Sequence, residues 1–209
     1  MMDTREVVAW LRRLVYLDTT VFEDVRSIPT ATIPSVVIVT AATFIAGLGG
    51  WLWWLVEDFG ESSDVFIHSA IIGSLIAVVL WGLWLALVYV MITQVFRERA
   101  YVEQLMRVMG LAAAPLALMG LMFIPGLSLA IGVASLALTF GLTSMAISSV
   151  TTANQGQVLA ANLVGFFVWA LVLTLLASAS LSTVQPHAPG VFLFNAASGI
   201  TADVLELAQ

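Results

Sequence analysis

Residues 33–56 carry no charged side chain, and neither do residues 65–96. Such lengths suit a membrane. At ~1.5 Å of rise per residue the first stretch makes a helix of ~36 Å, against a hydrocarbon core of ~30 Å. In lipid the backbone has to satisfy its own hydrogen bonds, so a stretch of this kind is expected to be helical. Further apolar runs cover 111–124, 127–150 and 158–181. The expected fold is all-α, a polytopic integral membrane bundle of about five transmembrane helices. Only 10% of residues are charged, whereas a soluble domain carries about 25%. That is too few to cover a water-facing surface.

Three parts are expected. Residues 1–32 form a cytosolic or interfacial amphipathic segment, 33–181 the membrane domain, and 182–209 an external tail. In "EVVAWLRRLVYLDTTVFEDV" the residues Val7, Trp10, Leu11, Leu14, Val15 and Leu17 recur at helical spacing, with Arg12 and Arg13 opposite. Two readings are open: a helix lying in the membrane interface, or a short cytosolic helix packed on the rest of the protein. A cleaved signal peptide is not expected, because about 32 mixed residues with five acids precede the first apolar run.

The basic residues set the expected orientation. All seven are arginines: Arg5, Arg12, Arg13, Arg26, Arg97, Arg99 and Arg107. With five spans they fall on one side, and the 57–64 loop and the tail, opposite, hold acids only. The expected location is the inner (cytoplasmic) membrane, with the N-terminus cytoplasmic and the C-terminus external. Arg12, Arg13, Arg97, Arg99 and Arg107 are the candidate interaction residues of the cytosolic interface, facing anionic headgroups or a partner. "WLWW" (Trp51, Trp53, Trp54) closes the first span as an aromatic belt.

Run 111–124 would make only ~21 Å of helix, so the third span is expected to begin near Val102 and to carry Arg107 near its end. Pro115 is expected to kink that helix, and Pro125-Gly126 to form a tight turn before the fourth span. The alternative is a re-entrant hairpin over 111–132, leaving four true spans.

The segments "VFEDVRSIPTAT" and "YVEQLMRVMGLAAAPLALMGLMFIPGLSLAIG" resemble the Yip family (Ypt/Rab-interacting-protein domain) in its bacterial branch. The resemblance rests on Arg107, Gly110, Ala114-Pro115 and Ile124-Pro125-Gly126 in that order, and extends over roughly residues 20–180. It implies a five-helix integral membrane protein with a cytosolic N-terminus. Eukaryotic members are linked to small GTPases and membrane traffic, but no GTPase-binding motif carries over to particular residues here.

Groups for chemistry are sparse. With no cysteine there is no thiolate nucleophile, thiolate metal site or disulfide. His68 follows Asp64 by one helical turn, but two ligands are too few for zinc, and a hydrogen bond to loop backbone is the plainer reading. His187 reads as loop. No span carries a central carboxylate, which disfavours a proton-coupled transporter. Asn162 and the hydroxyls of Thr139, Thr143, Ser144, Ser148 and Ser149 read as groups that bond to their own helix or glue helix pairs. The small-residue rows Ala42, Ala46, Gly50; Gly126, Ala130, Ala134; and Ala161, Gly165 read as faces of close helix approach. Trp81 and Trp84, mid-span, suit core packing or lipid contact better than a pigment, a quinone or a partner subunit. The expected function is that of a non-enzymatic scaffold or assembly factor, with no catalytic, cofactor or metal residues. Its expected partners are membrane lipids and other membrane proteins, as complex subunits or self, and not nucleic acid. The alternative is an accessory subunit of a respiratory or photosynthetic complex.

Overall fold

The computed structural model describes residues 4–56 and 66–181. Among them every regular element is a helix, and five helical stretches are long and apolar enough to cross a membrane. The 57–64 loop and the tail 182–209 lie outside the described residues, as does the side chain of His68.

The N-terminal segment is two helices, α1 (Thr4–Val15) and α2 (Val21–Ser27). Leu17 breaks them apart with a positive φ of 56°. The single apolar face expected over this segment therefore ends early. Trp10 and Leu14 are buried, but Val15 and Leu17 point outward. Val21, Phe22 and Val25 of α2 are fully buried in the same hydrophobic core as the bundle. The segment is thus packed on the bundle through α2.

A 3-10 turn at Pro29–Ala31 leads into α3 (Thr32–Val56), the first span. Of its terminal tryptophans, Trp51 and Trp53 are half-buried and Trp54 is buried, so the belt is incomplete. The second span is α4 (Ser74–Val90), with π-helical turns at Ile67–Gly73 and Met91–Val95. It runs antiparallel to α3: the hydroxyl of Ser69 donates to the Gly47 carbonyl at 2.9 Å and that of Ser74 to the Thr43 carbonyl at 3.1 Å.

The third span is α5 (Val102–Ala112) followed by a 3-10 segment, Ala114–Leu121. This corrects the expected kink. Pro115 stands at the start of the 3-10 segment, where a missing N–H matters least; it is not inside a continuous α-helix. Its carbonyl accepts the Ser135 hydroxyl at 2.8 Å. The change of helix type also solves the length problem. At ~1.5 and ~2.0 Å of rise per residue the two pieces reach ~33 Å together. Ser35 of α3 bonds the Arg107 carbonyl at 2.8 Å, while Gly49 abuts the backbone of Met119 and Gly120. The third span thus follows α3 in the same direction along most of its length, and a re-entrant hairpin would not.

Pro125-Gly126 then turns the chain. The Leu127 N–H bonds the Ile124 carbonyl at 3.2 Å and Gly126 has φ 76°, which suits a type II turn with proline and glycine at its two central positions. The fourth span, α6 (Ser128–Ser148), buries Gly132, Ser135 and Thr139. Ala130 and Ala134 are exposed, so the row Gly126, Ala130, Ala134 is not a packing face. The fifth span, α7 (Gln155–Leu181), starts one turn before the apolar run. Its start is a reciprocal cap: the Gln157 N–H donates to Asn154 Oδ1 at 3.0 Å and the Asn154 N–H to Gln157 Oε1 at 2.9 Å.

Candidate functional site

Polar side chains gather in two places, one inside the bundle and one at its arginine end. The inner one is built on Asn162 of α7, which is fully buried. Its Oδ1 accepts the Trp84 indole N–H at 3.0 Å. Its Nδ2 lies 2.8 Å from Ser144 Oγ, 3.0 Å from Thr143 Oγ1 and 3.1 Å from the Phe140 carbonyl. Two amide hydrogens serve these three acceptors, so one contact is shared. The two hydroxyls donate to carbonyls of their own helix. Gly165 makes room: a Cβ there would collide with the Trp84 indole. Phe166 and Trp169 surround the same ring, with centroids 5.3 and 5.9 Å away. Trp81 and Trp84 are both buried between helices of this chain. Trp81 Nε1 has no hydrogen-bond partner among the described residues.

This cluster holds three helices together and offers no acid, base or nucleophile. Asn162→Leu should therefore lower stability by ~1–2 kcal/mol. Reversible unfolding in bicelles is the measurement, with Trp84→Phe as a companion whose effect is not additive with it.

The second gathering lies where α1, α2, the start of α5 and the link between α6 and α7 meet. Arg107 is central. Although charged, it is only 7% exposed. Its Nε donates to Thr32 Oγ1 at 2.9 Å and its Nη1 to the Arg26 carbonyl at 3.0 Å. A longer contact of 3.5 Å reaches Glu103, whose side chain is 82% exposed. Arg107 is thus a staple between α5 and the N-terminal segment. This corrects its expected role as an accessible interaction residue: the N-terminal segment covers it.

Arg13 is also engaged, to Asp18 at 2.8 Å and Asp24 at 2.6 Å. Arg12, Arg97 and Arg99 are exposed. Arg97 has a positive φ of 60°, which turns the chain out of the second span. Beyond it, the Arg99 backbone N–H meets Thr152 Oγ1 at 3.2 Å, and that hydroxyl donates to Glu98 at 2.6 Å. These bonds tie the connector to the α6–α7 link. Arg26 joins in by donating to the Ser149 carbonyl. Arg26 was not among the expected interaction residues; its place just before "SIP", at the entry to the first span, was the available signal.

Asp18 supplies a pH-dependent element. The Thr20 hydroxyl at 2.5 Å, then Arg13, hold its carboxyl below the usual carboxylate range. A carboxyl whose pKa is lowered by folding stabilises the fold above its unfolded value of ~3.9, and that contribution fades as pH falls through the lower folded value. The α1–α2 corner should therefore stay ordered from neutral pH to about pH 4 and loosen only below it. A spin label on Val8→Cys, in a chain without other cysteines, would report this as mobility. With Asp18→Asn the acid transition should be absent.

Among the described residues no three His, Asp or Glu side chains stand together as a metal site would require. In comparisons with family models, curated proteins and solved structures, nothing matches this chain.

Proposed function

We propose that this chain is a non-enzymatic membrane scaffold or assembly factor of the Yip kind, acting through protein and lipid contacts at its arginine end. We place it in the inner (cytoplasmic) membrane, with the N-terminus in the cytoplasm and the C-terminus outside. The observation that supports this reading is the construction of the arginine end. Three separate parts of the chain converge there and are clamped by side-chain hydrogen bonds, leaving exposed arginines on an ordered surface. Bundle interiors that carry reactions or transport present polar groups to a path. Here the buried polar groups bond mainly to one another and to helix backbone.

The accessory-subunit alternative drew on a tryptophan face free to pack on a partner. Trp81 and Trp84 are covered within this chain, which removes that argument. Purification in mild detergent tests the two readings. A monomer or homo-oligomer that captures partners at low stoichiometry is the expected result. Stoichiometric co-migration with a redox complex would overturn it. For orientation, a reporter fused after Gln209 should be active on the outer face, and activity only in the cytoplasm would refute the topology.

A further inference from the structure

At the arginine end a cleft of about 440 Å³ opens between α2, the connector, the start of α5 and the α6–α7 link. That is a volume typical of small-ligand sites, which run from ~300 to ~1,000 Å³. Arg26 and Arg99 line it from different elements, together with Tyr101, Gln104, Thr151 and Thr152. Arg13 and Arg107 are engaged in ion pairs, whereas Arg26 and Arg99 take part in none among the described residues. The cleft therefore holds two guanidinium groups whose charge is not neutralised by a paired carboxylate.

The donors are set by the bonds already made. Arg26 commits one nitrogen to the Ser149 carbonyl, and a guanidinium has five N–H groups. The Thr152 hydroxyl accepts from the Arg99 backbone and gives its one proton to Glu98, so it has no donor left for a ligand. That bond also fixes the Glu98 carboxylate to the link. The Arg99 guanidinium, the Tyr101 hydroxyl and the Gln104 amide make no side-chain hydrogen bond among the described residues. Two guanidinium forks beside neutral donors match the several oxygens of a phosphate better than the two of a carboxylate.

The surroundings say what else the occupant must be. Tyr101 is 65% exposed, and Val95 and Val102 beside the connector are exposed as well. The rim is thus apolar where the spans emerge and cationic inside. An amphiphile fits both, with its phosphate in the cleft and its acyl chains along the spans.

We propose that this cleft is a binding site for the phosphate headgroup of an anionic glycerophospholipid, gripped by Arg26 and Arg99. The proposal rests on the reading of this end as a membrane-interface contact surface, and it names that surface's ligand.

The test uses the full chain in nanodiscs that contain phosphatidylcholine with a minor fraction of phosphatidylglycerol. Native mass spectrometry then counts the lipids retained. The wild type should retain phosphatidylglycerol over phosphatidylcholine by about tenfold or more, as two arginines near an interface at ~1 kcal/mol each would give. Arg26→Gln with Arg99→Gln should bring that preference close to one, while Arg5→Gln, at an exposed position of α1 outside the cleft, should leave it within about twofold. If the double variant does not fold, Arg99→Gln alone, at an exposed side chain, should still lower the preference several-fold. An unchanged preference in folded variants, or no preference in the wild type, overturns the proposal. Displacement of phosphatidylglycerol by millimolar inorganic phosphate, which leaves phosphate bound, would instead make this a soluble-anion site and overturn the lipid assignment. Both leaflets of the nanodisc have the same composition and no partner is present. The outcome is therefore independent of chain orientation and of partner capture, which the reporter and co-purification experiments read separately.

Discussion

Gly49→Ala should destabilise this protein by ~3 kcal/mol or more, seen as a fall of about 6–12 °C in the unfolding midpoint of the detergent-solubilised chain. The added Cβ would meet the Met119 carbonyl oxygen, with Gly120 Cα at 2.6 Å and Gly120 C at 2.9 Å. These atoms are all backbone, so no rotamer change relieves them, and the third span would have to move away from α3. In lipid, close backbone approach between small residues is a main source of helix association. Gly120→Ala is the informative contrast. Its Cβ would meet chiefly the Cγ2 methyl of Ile45, an exposed side chain, rather than backbone, so the loss should be smaller. Nothing lies within 4 Å of a Cβ built on Gly82 or Gly141. Alanine at these positions should be neutral or stabilise by up to ~1 kcal/mol, since glycine weakens a helix interior. Equal effects at Gly49 and Gly82 would refute the packing account.

Arg107→Ala should free the N-terminal segment. Without the guanidinium, Thr32 Oγ1 and the Arg26 carbonyl each lose a charged donor at a largely buried site. Such a loss costs ~1–3 kcal/mol per group. The expected sum is about 2–4 kcal/mol, concentrated where α2 meets α5. Limited proteolysis should cut within residues 16–32 of the variant under conditions that spare the wild type. Glu103→Gln should leave the segment protected, because that carboxylate is exposed and its contact long. A Glu103 variant as labile as the Arg107 variant would mean that the ion pair, not the buried hydrogen bonds, holds the corner.

The spans were legible because lipid leaves the backbone few options, and length alone placed the start of the third helix at Val102. Which face each span buries was legible only where polar residues mark it, as Thr139, Thr143, Ser144 and Asn162 do in α6 and α7. Elsewhere the spans are nearly uniform in polarity, and the inner face is not marked. Small-residue rows therefore pointed correctly at Ala161 and Gly165 and wrongly at Ala130 and Ala134. The cap at Asn154 was visible in principle, since Asn with Gln three residues on is a helix-start pattern; the polar spelling of "TTANQGQ" hid it inside a link. The burial of Arg107 could not be read either. Its distance from the helix end is set by the sequence, but its cover comes from residues some eighty positions earlier. The same holds for the cleft, whose two arginines lie far apart in the chain and meet only through the clamps at Ser149 and Thr152.

The 3-10 segment at Ala114–Leu121 gives the third span a reserve of length. Each residue wound this way rises ~0.5 Å more than in an α-helix, so eight residues hold ~4 Å of reach. Biological bilayers differ in hydrocarbon depth by a few ångströms. Rewinding the segment as α-helix would draw the Pro125-Gly126 turn inward by that amount, while α3 beside it kept its length. A thinner membrane would thus act first on the register between these two helices, at the glycines where their backbones touch.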